Sequence, residues 1–223
     1  MNVSKTTSLW LFLTILTGLC AGAAERPLPA PIVWKLESTA TIGGHKPEIL
    51  GTPKSVDAAL QFDGLSDGLI VPVNPLAGWA TFTIEVLFMP AADDPAAQRF
   101  LYIIDERDSR VSLETRNADG KSWCLDTYLL GDKDRCTLRD TTKLHPTGQW
   151  TWVALVYDGK TMTHYVNGVK ELEREVVFPP MTSGRTSLGV RLDRAYWFKG
   201  LIKDVRFCPG VVASEKLQRS SEK

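Results

Sequence analysis

The chain has 223 residues, 43% of them hydrophobic, and its 26 Lys and Arg are balanced by 26 Asp and Glu. With no net charge and both signs scattered along the sequence, there is no long-range field for nucleic acid or an anionic membrane, which leaves polyanion binding without support. No C-x-x-C or Cys/His cluster suggests zinc, and the length suits one all-β domain once a leader is removed.

Residues 1–24 read as an export signal: Lys5 in a short polar start, an apolar run over 9–19, and Ala21-Gly22-Ala23-Ala24 ahead of Glu25. The apolar run is shorter than the roughly 20 residues of a membrane helix and is interrupted by Thr14, Thr17 and Gly18. Cys20 follows Leu19, where a lipoprotein signal normally has Gly, Ala or Ser, which speaks against lipidation. The expectation is a secreted or extracytoplasmic protein, periplasmic in a Gram-negative cell, with no membrane insertion after signal removal. A proline-spaced lead-in occupies 25–31 and should be extended. The folded domain is expected over 32–219.

That domain opens with a short strand at 32–37, followed by a Gly/Pro-rich loop around 43–47 and strands at 59–64 and 68–73. Over 81–89 the sequence alternates, with Phe82, Ile84, Val86 and Phe88 pointing one way and Thr83, Glu85, Leu87 and Met89 the other. Further strands are predicted at 100–104, 110–116, 122–130, 187–192 and 200–208. Between them, 150–157 and 161–166 form a β-hairpin about Asp158-Gly159-Lys160, and Asn167-Gly168 turns the chain again. Ser214 is placed to cap a short helix running to Gln218. About a dozen strands at this spacing predict an all-β fold of two stacked antiparallel sheets.

The stretch Gly148 to Gly168, G-Q-W-T-W-V-A-L-V-Y-D-G-K-T-M-T-H-Y-V-N-G, resembles a hairpin of laminin G-like jelly rolls in the concanavalin A-like lectin and glucanase superfamily. Ala59 to Gly64 (A-L-Q-F-D-G), Phe82 to Val86 (F-T-I-E-V) and Phe198 to Phe207 (F-K-G-L-I-K-D-V-R-F) are similar to three further motifs of that family. The closing segment carries an extra residue, Lys203, between Ile202 and Asp204. The resemblance implies a jelly-roll β-sandwich with its first strand near its last, and a carbohydrate or a protein as ligand. It does not choose among lectins, adhesion domains and glycanases, since function lies in the site and not the fold.

Glu171-Leu172-Glu173-Arg174-Glu175 resembles the catalytic E-x-D-x-E strand of β-glucanases, and simple alternation puts the three carboxylates on one face. Its middle acid is Glu, Arg174 replaces an apolar residue, and no aromatics flank it, so these acids are expected to be solvated and not catalytic. His45, His145 and His164 sit in no recognisable motif, and no G-x-S-x-G elbow is present. Asp63, Asp67 and Asp204 are oxygen ligands of the type calcium prefers, and some relatives hold a structural calcium in this region. Turn-forming roles explain Asp63 and Asp67 equally well. Export permits a Cys124–Cys136 disulfide that leaves Cys208 unpaired; alternatively all three are small buried hydrophobes. For sugar binding, Glu85, Glu114, Arg116, Asp126, Tyr128, Trp152 and His164 fall on the more polar side of their strands and could share one open sheet face, although the same pattern describes an ordinary wet face with Trp152 packed at the rim. The expectation is a secreted, non-catalytic binding module for a carbohydrate or an extracytoplasmic protein. A glycan-active hydrolase or a purely structural adhesion domain is the alternative.

Overall fold

The computed structural model describes Met1, residues 30–93 and residues 95–220. Apart from Met1, the expected export signal with Cys20, and the lead-in up to residue 29, lie outside those residues. The strands are β1 (Ile32–Lys35), β2 (Glu48–Leu50), β3 (Lys54–Val56), β4 (Ala59–Asp63), β5 (Gly68–Val71), β6 (Phe82–Pro90), β7 (Ala97–Asp105), β8 (Arg110–Asn117), β9 (Ser122–Leu130), β10 (Arg135–Arg139), β11 (His145–Pro146), β12 (Thr151–Tyr157), β13 (Thr161–Val166), β14 (Val169–Glu175), β15 (Gly184–Leu188) and β16 (Lys199–Pro209). They form two antiparallel sheets of eight strands. The first runs β14-β13-β12-β6-β16-β4-β3 with β1 also on β16, and the second runs β10-β9-β8-β7-β15-β5-β2 with β11 also on β9.

The alternation of β6 sends Phe82, Ile84, Val86 and Phe88 into the space between the sheets, where all four are buried. Phe88 stacks on Phe100 of β7 at 4.3 Å between ring centroids and meets Trp123 of β9 edge-on at 5.2 Å, so the core is closed by aromatic contact across the sandwich. As the resemblance implies, β1 lies against the last strand, Ile32 opposite Phe207. The hairpin forms as its sequence suggests. Asp158 Oδ1 accepts the N–H groups of Lys160 and Thr161 at 2.8 and 2.6 Å, and the turn into β14 places Asn167 and Gly168 at φ 47° and 72°, the pair of positive values that favours Asn-Gly.

Among the described residues, three bulges break the simple alternation. Phe100 is the extra residue of β7 against β8, Lys203 that of β16 against β6, and Glu171 that of β14 against β13. Other departures have local causes. The strand expected at 187–192 is instead Gly184–Leu188, because Gly189 turns away at φ 78°. Ser214 does not cap a helix but lies inside a single 3-10 turn, Ser214–Lys216. Cys124 and Cys136 are both buried and free. Cys136 sits opposite Leu129 in the core, whereas Cys124 points to the other face of β9 and five residues further along it, about 16 Å away by strand rise, so the expected disulfide does not form.

Candidate ligand-binding site

The outer face of the second sheet carries two adjacent rows of side chains. In one, Arg99 of β7, Glu114 of β8, Asp126 of β9 and Arg139 of β10 stand opposite one another in register. In the other, Tyr102 of β7, Ser112 of β8, Tyr128 of β9 and Thr137 of β10 do the same. Arg99 and Tyr102 are three residues apart and would point to opposite faces of a regular strand. The Phe100 bulge turns Phe100 and Leu101 together into the core and leaves both polar residues outside.

The two rows floor a cleft of about 340 Å³, completed by Arg110, Arg116 and Arg191. Glu114, 4% exposed, accepts from Ser112 Oγ at 2.8 Å and Arg116 Nη2 at 3.0 Å, and pairs with Arg99 Nε at 3.0 Å. Burial pushes the Glu114 carboxyl above the usual range, more than Arg99 beside it pulls it down. Asp126, 2% exposed, accepts from Arg116 Nε at 2.7 Å and more distantly from Arg139 Nη1 at 3.4 Å. The Tyr196 ring lies 3.6 Å from the guanidinium centre of Arg99. Arg110 and Arg191 are held at the rim by their neighbours Asp108 and Asp193. The result is a hydrogen-bonded polar floor with the partly exposed Tyr128 ring set in it.

Of the residues expected to share one face, Arg116, Asp126 and Tyr128 do so, together with Glu114. The others are elsewhere. Glu85 is on the outer face of the first sheet under the C-terminal segment, where its Oε1 accepts the N–H of Gln218 at 2.7 Å and burial raises its pKa. Trp152 is on that same outer face, in a larger cleft of about 910 Å³ with Trp150, Gln149, Asn167 and Arg219, but at 9% exposure it offers little ring surface. His164 points inward with Met162 and Val166, and its Nδ1 shares a 3.0 Å hydrogen bond with Thr127 Oγ1 of the opposite sheet. Arg99, Tyr102, Arg110, Arg139 and Arg191 were not legible as site residues: one depends on a bulge, and the others on cross-strand and loop neighbours that periodicity does not report.

The acidic strand does not present three solvated carboxylates on one face. Glu173 and Glu175 are exposed and paired with Lys170 and Lys160. Glu171, the bulge residue, turns toward the sandwich interior, with His145 Nε2 at 2.8 Å and His164 Nε2 at 3.7 Å from its two oxygens. The expected calcium ligands also separate. Asp63 Oδ1 accepts the N–H groups of Leu65, Ser66 and Asp67; burial pushes its carboxyl up, but these donors outweigh it and hold the pKa at about 2. Asp67 accepts from Thr52 N at 2.7 Å, and Asp204 pairs with Lys35 at 2.8 Å, five residues along β16 from the Asp63 register, roughly 16 Å. Three acids so dispersed and engaged do not fit one calcium ion.

A family model described as the concanavalin A-like lectin/glucanases superfamily matches residues 63–218. Among solved structures, domain 4 of AbnA, an extracellular GH43 arabinanase from Geobacillus stearothermophilus solved with arabinotriose, is 20% identical with a TM-score of 0.56, over 85% of this chain and 86% of that one. The heptameric SAP-like pentraxin of Limulus polyphemus is 14% identical (TM-score 0.55; 75% and 78% covered), and domains LG4-5 of the mouse laminin α1 chain are 15% identical (TM-score 0.52; 77% and 47% covered). No curated protein matches the chain.

Proposed function

Because the chain belongs to the concanavalin A-like lectin/glucanase superfamily, we propose that it is a secreted, non-catalytic binding module that takes a carbohydrate in the cleft on its second sheet. The observation that carries this reading is the pair of registered rows, in which Tyr102 and Tyr128 lie beside the Arg99, Glu114, Asp126 and Arg139 ionic row. A sugar has an apolar face that stacks on an aromatic ring and a rim of hydroxyls, and this floor sets the partly exposed Tyr128 ring next to the Arg139 guanidinium, with the buried carboxylates of Glu114 and Asp126 holding the arginines in place. Because those groups already hold one another in place, little ordering remains to be done on binding. The relative solved with arabinotriose supports a saccharide ligand for this architecture. Against the hydrolase alternative, Glu173 and Glu175 are solvated at the edge strand, so the acid pair of a retaining glycosidase lacks a desolvated groove.

The test is a glycan array followed by titration of the wild type and Tyr128→Ala against the saccharide retained. Removing one stacking ring should weaken binding several-fold to about tenfold. Unchanged affinity would move the site off this cleft. Cleavage of a β-glucan that is abolished by Glu171→Gln would make the protein a hydrolase.

A further inference from the structure

Building on the placement of the ligand in this cleft, we infer that the saccharide it takes carries a carboxylate, received beside Tyr128 by Arg139. The floor of the cleft has three arginines, Arg99, Arg116 and Arg139, for two carboxylates, Glu114 and Asp126. Arg116 sits between the two acids and uses both of its contacts on them. Arg99 Nε forms an ion pair with Glu114 at 3.0 Å, yet neither Nε nor Nη1, on a residue 9% exposed, makes a hydrogen bond among the described residues. The Arg139 side chain makes one hydrogen bond among the described residues, to Asp126 at 3.4 Å, and keeps 46% of itself in solvent.

The rim does not cancel this surplus. Arg110 and Arg191 are each matched by a neighbouring acid, Asp108 and Asp193, so the cleft as a whole stays short by one negative charge.

Arg139 is the guanidinium best placed to accept a partner. It lies in the row next to Tyr128, since Asp126 opposes Arg139 and Tyr128 opposes Thr137 two residues away on the same two strands. A pyranose stacked on the Tyr128 ring brings a ring-borne carboxylate within reach of this neighbouring row. There the planar guanidinium can offer two parallel N–H donors to a carboxylate, which an ammonium or a neutral amide cannot match. Neutral sugars would leave the surplus charge unanswered.

The experiment compares methyl glucuronide with methyl glucoside, and adds the methyl glycoside of N-acetylneuraminic acid, by calorimetric titration at low and high salt. At least one carboxylated probe should bind about tenfold tighter than the glucoside, the ratio one charge-assisted hydrogen bond supplies, and the preference should shrink as salt is raised. In Arg139→Gln the ratio should fall toward one. Equal affinity for charged and neutral probes, both weakened by Tyr128→Ala, would overturn the carboxylate inference and leave the sugar-binding module standing. A carboxylate preference that survives Arg139→Gln would overturn the assignment to Arg139. Failure of every probe to bind, with a ligand from the array unaffected by Tyr128→Ala, would overturn both readings.

Discussion

His164 is 1% exposed and its chemistry is set by that burial. Desolvation holds its imidazole at about 4, well below the ordinary 6.5, against the pull of Glu171 and with a further push down from His145. The folded state therefore binds the His164 proton less readily than the unfolded chain does. Its contribution is complete above pH 6.5 and is lost as pH falls from there through 4, on the order of 3 kcal/mol in all. Glu85 and Glu114, whose carboxyls are raised by burial, act in the opposite sense as pH falls, so the comparison must be with His164→Gln. Urea unfolding at pH 7 and 4.5 should show the wild type losing more stability than the variant; parallel losses would mean that His164 does not titrate between the sheets. His164 also marks the limit of alternation as a guide. Parity groups it correctly with Met162 and Val166, but polarity suggested an outward face, whereas Thr127 on the opposite sheet gives the ring an inward partner. Arg116, Asp126 and Tyr128 were legible together because their two strands pair in regular register. Glu85 faces outward as its parity requires, yet nothing in its own strand announces that Gln218 will cover it.

Elements were most legible where strands are long and regular. Strand β9 has the bounds its sequence suggests, and the hairpin of β12 and β13 is marked by its aromatic and β-branched residues together with its turn dipeptides. Short edge strands such as β2, β3 and β11 carry too few residues for a period to be read. The bulges escaped for a different reason: an extra residue is a property of a pair of strands, and only Lys203 left a trace, as an insertion in a motif. Bulge and turn together also set the site, since Gly189 begins the loop that brings Arg191 and Tyr196 to Arg99. At φ 78°, a Cβ on Gly189 would fall 2.3 Å from the Phe62 ring. Gly189→Ala is expected to destabilise the domain by about 2–4 kcal/mol through backbone strain and overpacking together. Chemical denaturation checks this, and a cost below about 1 kcal/mol would show that the loop adapts freely.

At the scale of the whole molecule, the C-terminal segment straps the first sheet. Leu217 is buried, Gln218 N donates to Glu85, and Ser220 N donates to Asn167 Oδ1 at 3.3 Å. Removing residues 213–223 uncovers Glu85 and gives up the Leu217 contact, for an expected loss of about 3 kcal/mol. The proposed saccharide binding should persist in this variant, because the cleft is on the other sheet; loss of binding by a truncated chain that still unfolds cooperatively would couple the two faces. The order in which the chain is made gives β16 a further significance. It comes latest in sequence among the described strands, yet it joins β1, β4 and β6, and β1 pairs with no other strand among the described residues. Until residue 209 has been synthesised, the first sheet lacks the strand that joins its halves, and more than a hundred residues separate β6 from the edge it must find. Pairing of that sheet therefore waits for β16, however early its other strands have emerged.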